Sequence, residues 1–138
     1  MPAYAVERLE QAIGSVRGLR VAVLGAAYRR GVKEAAFSGV FDLVAELRSR
    51  GAEPLVEDPL FNDSELRAMG FDPYHRGEPC DAAIIQTDHT DYKSLLPSDL
   101  PGVRGLLDGR QITDADNWRG VLRAVIGAPI QSAAEGKP

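Results

Sequence analysis

Cysteine is almost missing from this chain, and Cys80 is the only one. A lone thiol excludes an internal disulfide and fits a reducing compartment. Histidine is scarce as well: His75 and His89 lie far apart, and without a cysteine cluster they form no zinc-ligand spacing, so no metal is expected. Basic charge is not in excess. The net charge of −4 and the pI of about 5.2 argue against nucleic acid or an acidic membrane surface as partner. They leave room for one local group of arginines. Long apolar runs are also lacking, since none approaches the roughly 20 residues that span a bilayer. The opening MPAYAVERLEQAIG has charges spread through it and no continuous apolar stretch, which excludes a secretory signal. A cytoplasmic-type soluble domain is the expectation.

What is present is an ordinary globular composition, 44% hydrophobic and 26% charged over 138 residues, enough for one domain with a real core. Apolar residues at Ala5, Val6, Leu9, Ala12 and Ile13 have helical spacing. Arg20–Gly25, Glu53–Glu57, Asp81–Gln86 and Val103–Leu107 are short apolar runs without alternation, as parallel strands buried on both faces should be. Val121–Ile126 is a further strand or an edge ribbon. Ser38–Arg50 reads as an amphipathic helix with Ser38 as N-cap and Gly51 as its stop. Asn62 or Asp63 can cap a short helix through Met69, and Tyr92–Leu96 suits another, stopped by Pro97. Strand and helix alternate, so the expected fold is α/β: a single Rossmann-like, three-layer αβα domain with a mainly parallel sheet. The expected organisation is a lead-in helix over 1–19, the domain proper over 20–128 and a disordered tail over 129–138.

Ligands of such sheets sit beyond the carboxyl ends of the strands. There the sequence places Gly25, Tyr28, Arg29, Arg30, Lys33 and Glu34 after the first strand and Glu57-Asp58 after the second. Gln86-Thr87-Asp88-His89 follows the third, and Asp108 and Arg110 the fourth. The dinucleotide fingerprint needs three glycines, and only Gly25 is in place. Tyr28 and Arg29 offer an aromatic face and a planar cation instead, suited to a base or sugar beside a phosphate. Arg110 can approach the same anion, and two guanidinium forks fit a diphosphate. The competing reading pairs these arginines with Glu34 or Asp108 as solvated loop residues. Asp58 is either a ribose or uracil contact or a turn acid. His89 is either a general base or a loop histidine that positions the Thr87–Asp91 turn. Cys80 precedes a buried strand without a base or positive surroundings, which reads as structural. Trp118 reads as a hydrophobic cover or a subunit contact.

The segments GAAYRRGVKEAAFSGVFDLVAEL, GAEPLVEDPLF, AAIIQTDHTDYKSL and LLDGRQITD resemble, in order, the C-terminal domain of the UDP-glucose/GDP-mannose dehydrogenase family. The opening MPAYAVERL is similar to the start of the helix leading into that domain. The resemblance implies a UDP-sugar-binding role for Tyr28, Arg29 and Arg110, with Gly25, Lys33, Glu34, Asp58 and His89 as secondary candidates. It implies no catalytic residue here, because the family's nucleophilic cysteine and its NAD-binding domain belong to other parts of the enzyme. That enzyme oxidises the sugar C6 alcohol to a carboxylate in two hydride transfers. The chain is then expected to be a fragment or a split-gene product that binds a UDP-sugar without turnover. It would bind no cofactor by itself, with NAD held by the intact enzyme, and would work beside a separate NAD-binding catalytic chain or as a homodimer. The alternatives are a regulatory or assembly module that has lost the ligand, and an independent domain for another adenine ligand such as coenzyme A. Departures from the family pattern are Arg29 for lysine, Ala36 for arginine, Gly39 for proline and Gln111 for asparagine.

Overall fold

The computed structural model describes residues 2–125. Helix α1 (Pro2–Ile13) is followed by β1 (Arg20–Leu24), α2 (Val40–Ser49), β2 (Glu53–Glu57), α3 (Asp63–Ala68), β3 (Ala82–Ile85), β4 (Gly105–Asp108) and β5 (Leu122–Val125). The five strands pair in the order β2-β1-β3-β4-β5, and every pair is parallel. The near-continuous apolar runs follow from that arrangement, because both faces of a parallel sheet are covered. In β1, Val21 and Val23 join one apolar cluster while Ala22 and Leu24 join the other. Pro54 sits inside β2, where it is tolerated because β2 is an edge strand.

One face is covered by helices. Val6 and Leu9 of α1, and Val40, Leu43, Val44 and Leu47 of α2, are buried with Val21, Val23, Ile84 and Leu107. Complete burial of Val6 and Leu9 stabilises the docked helix by about 1.5–3 kcal/mol each. A guanidinium bond from Arg8 to the Val125 carbonyl (3.1 Å) also ties α1 to β5. Helix α3 starts on a capping box in which Asn62 and Glu65 exchange side chain-to-backbone bonds, both 2.8 Å. For α2 the N-cap is Gly39, and Ser38 helps from one position earlier by accepting the Val40 amide (3.2 Å).

The other face is covered by single turns of 3-10 helix at Thr90–Ser94, Pro97–Asp99 and Ala115–Trp118 together with the 72–80 segment. The expected Tyr92–Leu96 helix is thus a tighter turn that begins earlier. Pro97 disfavours the helical conformation at Leu96 and stops any extension. Trp118 is 1% exposed and donates its indole N–H to the Leu95 carbonyl (3.1 Å), so it is the hydrophobic cover. The tail expected over 129–138 and the end of the last strand at Ile126 lie outside the described residues.

Candidate functional site

The chain leaves β1 through Gly25, whose φ of +109° few L residues adopt. A Cβ there would lie 2.6 Å from the Thr87 backbone nitrogen. Gly25 therefore permits β1 and the end of β3 to meet; it does not open toward a phosphate. The amides that follow are occupied from inside. Asp58, fully buried at its side chain, accepts the Ala26 amide at 2.7 Å and the Ala27 amide at 3.0 Å on Oδ2. Its Oδ1 accepts the Leu60 amide (2.8 Å). The carboxylate thus takes two of the amides that follow β1, so neither is free for a phosphate.

His89 completes this arrangement. Its Nε2 lies 2.9 Å from Asp58 Oδ2, and its Nδ1 accepts the Gly31 amide at 3.1 Å. An accepting Nδ1 places the proton on Nε2, so the ring is the neutral Nε2–H tautomer, donating to Asp58. Both nitrogens are engaged and the side chain is 2% exposed, which leaves no lone pair for general-base work. Next to it, Thr87 donates its hydroxyl to the Ala27 carbonyl (2.8 Å), and Asp88 faces Arg30 (3.4 Å).

The loop after β4 is built in the same way. Asp108, fully buried, accepts the Arg110 and Ile112 amides at 3.1 Å each on Oδ1 and the Thr113 amide at 2.7 Å on Oδ2. The Thr113 hydroxyl donates to the same oxygen, and the Arg123 guanidinium lies 3.6 Å away. Gln111 is driven to φ +56° in this turn. Arg110 emerges from it with Nε on the Gln86 carbonyl (3.1 Å) and its side chain exposed. It lines a cleft of about 250 Å³ with Pro2, Tyr4, Gly39, Leu43, Gln86 and Gly109. Glycine at 39 leaves room for Gln86, whose side-chain nitrogen would sit 2.9 Å from an added Cβ.

Tyr28 (54% exposed) and Arg29 stand free on the first loop, and among the described residues no hydrogen bond or ion pair engages either side chain. They do not line the cleft at Arg110. The three candidates therefore share one sheet edge without closing into one cavity. Lys33 is paired with Glu65 (2.6 Å) and leans on the Phe61 ring, and Glu34 folds the loop back by accepting the Tyr28 amide on its carbonyl (2.8 Å). Glu57 lies under Tyr92, which donates to it at 2.6 Å; burial pushes the carboxyl up while that bond pulls against the rise. Cys80 is buried, and desolvation pushes its thiol up, away from a nucleophilic thiolate.

Two aspartates that hold the loops, Asp58 and Asp108, were not distinguishable from turn acids in sequence, and the Arg123–Thr113 support of Asp108 gave no sequence signal. The alternation of strand and helix was the signal for the edge itself.

Strand order, parallel pairing and loops gathered at the carboxyl edge define a Rossmann-like α/β domain of the kind that holds its ligand there. Comparison with known proteins narrows this. The profile of the UDP-glucose/GDP-mannose dehydrogenase family, UDP binding domain, matches residues 22–118. The UDP-glucose 6-dehydrogenase TuaD of Bacillus subtilis (strain 168) is 28% identical over 146 aligned positions, covering 96% of this chain and 31% of the relative. The UDP-D-ManNAc dehydrogenase of Pyrococcus horikoshii superposes with a TM-score of 0.68 at 27% identity, covering 91% of this chain and 30% of that one. A UDP-glucose dehydrogenase from the archaeon Pyrobaculum islandicum shares the fold at a TM-score of 0.65 and 24% identity, covering 97% and 27%. The chain belongs to the UDP-glucose/GDP-mannose dehydrogenase family and comprises its UDP binding domain. It spans about a third of the length of these relatives.

Proposed function

We propose that this chain holds the UDP portion of a nucleotide sugar, as the substrate-binding part of an NAD-dependent UDP-sugar 6-dehydrogenase. The observation that carries the reading is the contrast at the carboxyl edge. The Ala26 and Ala27 amides are occupied by Asp58, while Tyr28, Arg29 and the outer guanidinium nitrogens of Arg110 face solvent. A diphosphate recruited there meets side-chain cations on loops already fixed by buried aspartates, so little ordering remains to be done on binding. Strands lie about 4.8 Å apart, so the ends of β1 and β4, two strand spacings apart in the sheet, are about 10 Å from each other, and the two arginines follow on the loops that leave them.

NAD, the cofactor of the intact enzyme in this reading, does not fit the first loop. Its pyrophosphate would compete with the Asp58 carboxylate for the same amides, and Gly25 is closed by Thr87. The nicotinamide cofactor and the nucleophilic cysteine then belong to the other two thirds of the enzyme, and this domain binds without turnover. The domain proper is taken as 20–128 with α1 docked on its sheet. Calorimetry with UDP, UDP-N-acetylhexosamine and NAD tests the proposal. Binding of both uridine ligands and not of NAD supports it, and a folded sample silent to UDP at high millimolar concentration refutes it. The competing reading is an assembly module. Ala36 in place of an arginine and the 93% exposed Phe37 favour it, and sedimentation that shows a complex indifferent to UDP would establish it.

A further inference from the structure

Three consecutive residues after β3 each grip the loop after β1 at a different point. Thr87 takes the Ala27 carbonyl, Asp88 faces Arg30, and His89 takes the Gly31 amide while donating to Asp58. The contacts advance along both segments together, so the short 87–89 run closes over 27–31 and brackets Tyr28 and Arg29. The outer contact, Arg30–Asp88, is exposed and contributes little. The Thr87–Ala27 and His89–Asp58 bonds are buried and the Gly31–His89 bond is half-buried; His89 is the residue whose chemistry is restrictive, since it must donate on one nitrogen and accept on the other.

We propose that His89 is the positioning residue of the nucleotide loop, and that its Nδ1 bond to the Gly31 amide holds Tyr28 and Arg29 in the conformation that receives the diphosphate. This rests on the reading of Tyr28 and Arg29 as ligand groups. The role differs from a general base because both ring nitrogens are engaged within the protein and the proton stays on Nε2. It differs from plain core packing because only one of its two hydrogen bonds reaches the loop tip. The other, to Asp58, serves the base of the loop, which the Ala26 and Ala27 amides already fix.

Three substitutions separate these roles. The side-chain oxygen of His89→Asn occupies roughly the Nδ1 position and can still accept from Gly31, whereas the amide nitrogen of His89→Gln sits near Nε2 and can still donate to Asp58. His89→Ala does neither. The expected result is fast hydrogen exchange at the Gly31 amide in His89→Gln and His89→Ala, with protection recovered in His89→Asn. UDP affinity by calorimetry should fall about tenfold in the first two, as it would if the competent loop were populated about one tenth of the time, and recover most of its value in the third. The nitrogen-15 shifts of His89 in the parent chain should report the neutral Nε2–H tautomer. Equal Gly31 exchange in the parent and all three variants, or equal losses of affinity in His89→Asn and His89→Gln, overturns the proposal. A parent chain that does not bind UDP overturns the underlying reading of the site, and Gly31 exchange then still decides the clamp.

Discussion

Asp58→Asn is the most informative single change, because the carboxylate holds the base of the loop after β1 against the sheet. The asparagine can keep its oxygen at the Oδ2 position, facing the Ala26 and Ala27 amides and His89 Nε2, but it loses the negative charge. Hydrogen bonds to a charged acceptor are worth about 1.5–3 kcal/mol and neutral ones about 0.5–1.5, so three bonds lose about 3 kcal/mol together. The new NH2 then confronts the Leu60 amide, another donor, and leaving that N–H without an acceptor adds about 1 kcal/mol or more. The total is about 4 kcal/mol, a large part of the stability of a domain this size. With a urea m-value of about 2 kcal/mol/M, the unfolding midpoint should fall by about 2 M. Asp63→Asn is the control, because Asp63 forms a surface pair with His75 and should cost no more than about 0.5 kcal/mol. A loss below about 1 kcal/mol for Asp58→Asn at unchanged m-value would refute the claim that this carboxylate organises the loop.

Arg29→Ala and Arg110→Ala should each weaken UDP about 10–100-fold by calorimetry, the value of one or two charge-assisted bonds, without moving the thermal midpoint by more than a degree or two. Gln111→Gly should raise stability by about 0.5–1 kcal/mol in urea titration, because φ +56° strains glutamine and suits glycine. The His75 imidazole is held above its ordinary value by Asp63 and Glu78. A raised folded value stabilises fully below the unfolded value of about 6.5 and the gain disappears as pH rises through the folded value. His75→Gln should therefore be less stable than the parent chain at pH 5, with the difference shrinking toward pH 8, in parallel unfolding titrations.

The strands were legible because burial on both faces leaves unbroken apolar runs: Glu53–Glu57 is found as expected, and Arg20–Leu24 differs by one residue at its end. Gly25 was legible as a strand end, but its reason was not, since the contact that requires it is Thr87, far along the chain. The same distance in sequence hid the loop clamp: Asp58 and His89 are each bonded to the loop across more than thirty residues, at separations of 31–32 and 58. Local reasoning sees such acids and histidines only as turn residues. The second face of the sheet was least legible, because single 3-10 turns carry too few residues for a periodic signal. The exposure of Tyr28, Arg29 and Arg110 fits solvated loop residues as well as ligand groups, and the pairing of Arg30 with Asp88, rather than with Glu34 or Asp108, was not legible.

Amide chemical-shift mapping of the folded chain against added UDP addresses the site most directly. Saturable changes confined to 27–31, 86–89 and 109–111 are expected, with none from NAD at equal concentration. Changes at the α3 end of the sheet with these three segments silent, or a response to NAD matching that to UDP, would contradict it.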